Sequence, residues 1–375
     1  MAAIGIGRFA FTPVLPMMQR DLDLSLQAAG WLASANYAGY LAGALSAVWL
    51  RLTPHTIVRG ALAATAVVTL AMGLTHELYA WLGLRALAGI VSAWALVFSS
   101  AWVLRTLAAG GNGHLGGVVF GGVGLGTALA GALCLAFLEL GWSADQAWIA
   151  LGLLALLVAA AIWPAYASAT DVTAANAAGS PSSRAGLWSS ENTRLIACYG
   201  CFGFGNIIPA TFIPALARAA VPEPQVFGWA WPVFGAAALI STRVAGPASA
   251  RLGYRPLWVG GQSAMAAGVA LPAVWPGMTA IIVCALCVGG TFMVITMAGM
   301  QEARRVALEH ATSLMAAMTA AFAGGQILGP VLVSLAAGHA RAMEPCLLAA
   351  AAALAVSAVL LARGRGASSG PQTSP

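Results

Sequence analysis

Leu78-Tyr-Ala-Trp-Leu-Gly-Leu-Arg85-Ala-Leu-Ala-Gly89-Ile-Val-Ser-Ala-Trp-Ala-Leu-Val-Phe-Ser-Ser-Ala-Trp-Val-Leu104 is an apolar run interrupted by one charge, Arg85. Apolar windows of about 20 residues mark helices that cross a bilayer. Strands of a membrane barrel would instead alternate polar and apolar over roughly 10 residues. Similar runs, rich in Ala, Leu and Gly, recur along the chain. Sixty per cent of the residues are apolar, only 7% are charged, and the mean hydropathy is +0.86. Soluble globular chains carry roughly 25% charged residues, and a chain this apolar has too few polar residues to make a wettable exterior. Backbone groups in lipid must pair internally. The reading is therefore an all-α integral membrane protein.

Successive windows give twelve transmembrane helices, with approximate limits 1–18, 26–50, 57–75, 78–104, 115–138, 146–166, 193–217, 225–245, 256–275, 278–300, 311–337 and 343–362. The first is short for a span, at about 27 Å. The longest polar stretch, 167–192, divides the spans six and six. The chain reads as an N-terminal six-helix bundle over 1–166, a cytoplasmic linker over 167–192 and a C-terminal six-helix bundle over 193–362. A Gly/Ser/Pro-rich tail over 363–375 follows, with the composition of a disordered segment. All 17 basic residues are arginines. The net charge of +6 does not indicate nucleic acid, because they are not clustered for it. With both termini cytoplasmic, only Arg20, Arg218 and Arg341 fall in outside loops, as the positive-inside rule requires.

The two halves echo one another. Gly5-Ile-Gly7-Arg8-Phe-Ala-Phe-Thr12-Pro-Val-Leu-Pro16 opens the first, and Gly203-Phe-Gly205-Asn206-Ile-Ile-Pro-Ala-Thr211-Phe-Ile-Pro214 opens the second. Gly43-Ala-Leu-Ser46-Ala47 and Gly246-Pro-Ala-Ser249-Ala250 also correspond. Parallel six-span halves are a carrier design with the solute site at their interface. Gly246-Pro-Ala-Ser-Ala250-Arg251-Leu-Gly253-Tyr-Arg255 resembles the loop signature of the major facilitator superfamily, with a degraded first-half copy running through Arg51 and Arg59. In place of the acidic residue usual in that motif stand Ala47 and Ala250. Arg85-Ala-Leu-Ala-Gly89 is similar to its intramembrane Arg-xxx-Gly signature, and Gly117, Gly121, Gly122, Gly124 and Gly126 occupy the place of its glycine-rich fifth helix. Gly5–Pro13 together with Ala33-Ser-Ala-Asn-Tyr37-Ala-Gly-Tyr40-Leu-Ala-Gly43 resembles the YbfB/YjiJ-like branch of bacterial transporters.

A charge inside a span is costly unless it faces a wet cavity or a partner. Arg8 and Arg85 should lie at similar depth, in helices that the resemblance places around a central cavity. Two guanidiniums at one level suit a carboxylate or phosphate. The bland reading is that they satisfy helix carbonyls or help a conformational switch. All eleven carboxylates fall near span ends or in loops, so the ligand is expected to supply the counter-charge, and a carboxylate proton relay lacks its usual residue. Asn36, Tyr37 and Tyr40 share a broad face of span 2, where they either hold a polar solute or bond helices together. Asn206, Thr12, Thr211 and Gln326 are further candidates for the solute site. Arg51, Arg59, Gly246, Arg251, Gly253 and Arg255 are candidates for a gating loop. Cys198/Cys201 and Cys284/Cys287 have metal-site spacing but lie in apolar helices, where cysteines act as small packing residues.

The expectation is a monomeric secondary transporter of the bacterial inner membrane, its partners a small solute, the bilayer and, if coupled, a proton. It would move a small organic anion by alternating access, with no cofactor, no metal and no enzymatic chemistry. The alternatives are efflux of hydrophobic or drug-like compounds, and a transport-fold sensor without net flux.

Overall fold

The computed structural model describes residues 2–50, 52–167, 189–220, 230–275, 277–336 and 343–363. Among them are thirteen α-helices and no strand. They are α1 (Ala2–Phe9), α2 (Phe11–Asp21), α3 (Leu26–Ser46), α4 (Pro54–Met72), α5 (Leu78–Ala109), α6 (Gly116–Glu139) and α7 (Ala144–Ala167). The second half supplies α8 (Ser190–Ala220), α9 (Ala230–Leu252), α10 (Tyr254–Val274), α11 (Met278–Ala307), α12 (Ala311–Ala336) and α13 (Met343–Arg363).

Helices α1 and α2 form one span. Pro13 has no N–H, and its ring crowds the carbonyl four residues back, at Phe9. The helical run is interrupted next to that carbonyl, at Ala10. Backbone bonds continue around the interruption, from Ala10 N–H to Ile6 at 2.9 Å and from Val14 N–H to Ala10 at 3.1 Å. The span reaches Asp21, beyond the limit read at residue 18, and so extends about 30 Å. The result is twelve membrane-spanning helices.

Local chemistry sets the helix ends. Ser25 caps α3 by accepting from Ala28 N–H at 3.1 Å, Pro54 starts α4, and Gly253, at φ +82°, turns the chain from α9 into α10. Helices α5 and α11 have 32 and 30 residues, or about 48 and 45 Å. They overrun the roughly 30 Å hydrocarbon core and project at the arginine-rich end. Hydropathy windows stop short of these extensions because each opens on polar or charged residues, Arg105-Thr106 and Gln301-Glu302.

The two halves repeat one packing pattern. In the first, α3 packs on α5, α1 on α6, and α4 on α5 and α7; in the second, α9 packs on α11, α8 on α12, and α10 on α11 and α13. Two seams join the halves, α6 with α9 and α3 with α12, and these seams exchange under the repeat. The α6–α9 seam is built on glycine. A Cβ at Gly124 would stand 2.6 Å from Leu239 N and 2.8 Å from Gly235 O, and one at Gly131 would stand 2.8 Å from Pro232 Cδ. At Gly124 the facing atoms are all backbone, which leaves no side chain to yield. Gly124→Ala should therefore cost about 1–3 kcal/mol by overpacking, read as a fall of several degrees in the melting temperature of purified protein. Gly83→Ala, whose site opens onto free space, is the control that should melt like wild type.

Candidate functional site

The interruption beside Ala10 sits next to Arg8. The Arg8 side chain is buried at the meeting of the halves, and its Nη2 donates to Gln326 Oε1 on α12 at 2.6 Å. Its guanidinium carbon lies 3.6 Å from the centroid of the Tyr40 ring and 5.5 Å from that of Phe9. The first contact is a close cation–π stack. Arg8 and Tyr40 line a narrow central cavity with Phe9, Tyr199, Phe292 and Phe322. No carboxylate lines it. The wall therefore presents one full positive charge, whose partners among the described residues are a neutral amide and a neutral phenol.

Arg85 is elsewhere. It is buried, its guanidinium carbon lies 4.6 Å from the Phe11 ring centroid, and its Nε has no hydrogen-bond partner. It is within electrostatic range of Arg8 and Tyr37 but does not line the cavity. The two arginines expected to form one site thus occupy adjacent positions with different neighbours. Asn36 explains part of this arrangement. Its Nδ2 donates to the Arg85 carbonyl at 3.0 Å, and Gly89 on α5 lets the backbones approach, since a Cβ there would stand 2.6 Å from Tyr40 N. Of the two readings for Asn36, the observed bond is helix to helix. The Arg-xxx-Gly string is thereby part of the contact that docks α5 on α3, alongside Gly39 and Gly43.

Tyr40 and Gln326 are thus brought to Arg8, and Tyr37 lies toward Arg85. Thr12 is half-buried one turn beyond Arg8. Asn206, the repeat partner of Arg8, is buried with Oδ1 unpaired. Thr211 lies within α8, and Arg51 lies outside the residues described. The Gly-x-Gly pairs serve packing. Gly5 faces the backbone of α6 and Gly203 that of α12, the equivalent helix of the other half.

The candidate gating residues separate into several environments. Gly246 packs against the other half, where a Cβ would stand 2.7 Å from the His114 carbonyl oxygen. Gln301 Nε2 reaches Gly113 O at 3.4 Å across the same junction, so the halves meet at the arginine-rich end. Arg251 is exposed, and Arg59 stacks 4.1 Å over Trp163 within its own half. Arg255 is buried in an ion cluster. It pairs with Glu191, lies 3.7 Å from Glu302, and shares those carboxylates with Arg194 and Arg305. The acidic partner absent at Ala250 is supplied by α8 and α11. Sequence reasoning left Glu191 and Glu302 as span-end charges, because nothing local couples residues 64 and 47 positions from Arg255. Tyr199, Phe292 and Phe322 were also missed, since an aromatic residue in an apolar helix has no distinguishing neighbour in the sequence.

The model of a family described as "Uncharacterised MFS-type transporter YbfB" matches residues 1–362. A comparison with the curated proteins gives no match. Among solved structures, the crystal structure of the human organic anion transporter MFSD10 (TETRAN) superposes with a TM-score of 0.70 at 14% identity, covering 96% of this chain and 97% of that one. At that identity the likeness establishes the fold.

Proposed function

The chain belongs to the family of uncharacterised MFS-type transporters described by YbfB, and on that premise we propose that it is a secondary active transporter of a small organic anion. The observation that supports this reading most directly is Arg8. Its charge is buried in the central cavity, and its partners among the described residues, the Gln326 amide and the Tyr40 side chain, are both neutral. A buried cation gains most from an anion that reaches it in low dielectric. MFSD10, with which the chain shares its fold, is itself described as an organic anion transporter. The six-helix halves, 1–166 and 193–362, rock about Arg8 along the α3–α12 and α6–α9 seams. The contacts of Gly246 and Gln301 then belong to a state closed toward the cytoplasm. This orientation rests on the arginine asymmetry, with both termini on the cytoplasmic side of the bacterial inner membrane. The protein acts as a monomer, and a coupled proton travels on the acid group of the solute.

The test is flux of organic anions into proteoliposomes, together with thermal stabilisation by the same anions. Arg8→Gln is expected to lower flux about 10- to 100-fold, the scale of losing charge-assisted bonds of about 1.5–3 kcal/mol. Arg85→Gln should lose less, because Arg85 does not line the cavity. If no anion stabilises wild type more than Arg8→Gln, the reading fails. The aromatic lining favours a second reading, efflux of hydrophobic compounds. Stabilisation by neutral or cationic aromatic compounds, undiminished in Arg8→Gln, would select it.

A further inference from the structure

The rings around Arg8 form a continuous belt drawn from both halves. Phe9 meets Phe292 edge-on at 6.1 Å between centroids and Trp231 at 6.3 Å. Phe292 continues to Phe234 at 5.9 Å, to Phe202 at 5.7 Å and to Phe322 at 6.3 Å. Phe322 closes the belt on Tyr199 at 5.6 Å and Tyr40 at 6.5 Å. Thr296, also on the wall, already donates its hydroxyl to the Phe292 carbonyl at 2.9 Å. The cavity therefore offers one guanidinium fork, two phenol hydroxyls and otherwise ring faces and aliphatic groups.

From this we infer that the transported solute is a monoanion with a flat apolar body, of the aryl-carboxylate type. The inference rests on the reading of Arg8 as an anion site and narrows it. A planar fork takes one carboxylate bidentately. A second negative charge on the solute would be buried against rings, because Arg85 is turned onto Phe11 and does not reach the cavity. Such an unpaired buried charge opposes binding. A polyhydroxy solute is also opposed, because it carries more hydroxyls than two phenols can pair. An aromatic body gains offset-stacked or edge-on contacts with Phe9, Phe292 and Phe322. The solute carboxylate displaces Gln326 from Arg8, and the ring fills the space between the halves.

The experiment measures the melting temperature of the full-length protein in detergent, titrated with four probes. These are 3-phenylpropanoate, its neutral amide 3-phenylpropanamide, the dianion succinate, and the short aliphatic monoanion propanoate. Apparent affinity follows from the concentration dependence of the shift. The expected order places 3-phenylpropanoate at least tenfold above each of the other three. In Phe292→Leu its advantage over propanoate should shrink by about 3- to 10-fold. Stabilisation by succinate equal to or greater than that by 3-phenylpropanoate overturns the inference and leaves the anion reading standing. Propanoate equal to 3-phenylpropanoate does the same. Amide equal to acid, or no stabilisation by any anion, overturns the anion reading and this inference with it. The comparison is made on wild type, so it does not depend on a variant folding.

Discussion

Gln326→Glu is expected to cut flux about 10- to 100-fold while raising the melting temperature. In the wild type, Gln326 Oε1 accepts from Arg8 Nη2 at 2.6 Å, a bond between a cation and a neutral amide. A carboxylate of the same shape turns that bond into an ion pair, and charge-assisted bonds are roughly twice as strong as neutral ones. Desolvating the new carboxylate offsets part of the gain. The guanidinium is already buried, so its own desolvation is not incurred again. A net of about 1.5–3 kcal/mol is a reasonable scale for a bond between charged groups. Because α1 and α12 lie in different halves, this energy is present only while the halves stay together at Arg8. Each 1.4 kcal/mol is a tenfold bias, so flux should fall about 10- to 100-fold. Ligand-induced stabilisation should vanish as well, since the protein now supplies the anion. Gln326→Leu is the complementary variant. It leaves the Arg8 donor unmet, and the melting temperature should drop. A Gln326→Glu protein that transports at the wild-type rate, with unchanged melting, would show that Arg8 and Gln326 are not a latch between the halves.

The second large effect belongs to Glu302, which is fully buried at the end of α11. Its carboxylate accepts from Arg305 Nε and Nη2 at 2.9 and 2.8 Å and lies 3.7 Å from Arg255 Nε. Breaking one partner of a buried ion group costs about 3–5 kcal/mol, because the remaining charge stays buried. Arg255 keeps Glu191, and Arg305 is partly exposed. Glu302→Gln should therefore cost less, about 2–4 kcal/mol. Thermal melting should fall by several degrees. Arg305→Ala, which removes a charge that water can already reach, should lose under about 1 kcal/mol. If both variants melt together, the cluster is a surface pair and Arg255 is held by something else.

This cluster also shows where sequence reading stops. Arg255 is recognisable within the loop signature, and its missing acid at Ala250 is equally visible. The acids that replace it come from the start of α8 and the end of α11. Those positions meet only after the second bundle is folded. Arg85 is a second instance. Helix geometry places it at about the depth of Arg8, but depth says nothing about rotation around the helix axis. In water the apolar stripe of a helix points to the core. In lipid every face of α5 is apolar, so hydrophobicity does not report which side faces the cavity. The Asn36 bond and the Gly89 contact set that rotation, and they turn the guanidinium onto Phe11.

Twelve helices, their alternation across the bilayer and the twofold repeat of six-helix halves follow from the sequence alone. These features depend on local runs about one membrane thickness long, which any short window can read. The short strings Gly5-Ile-Gly7-Arg8 and Arg85–Gly89 likewise mark the buried cations directly, because a charge in a span is conspicuous wherever it points. Only the tertiary structure decided that Arg8 faces the cavity and Arg85 does not. Only there do Gln326, 318 residues away, and a belt of rings from both halves become its partners. The physical reason is the solvent. A bilayer rewards apolar residues on every face alike, so which of them line the solute path is settled by helix-to-helix contact.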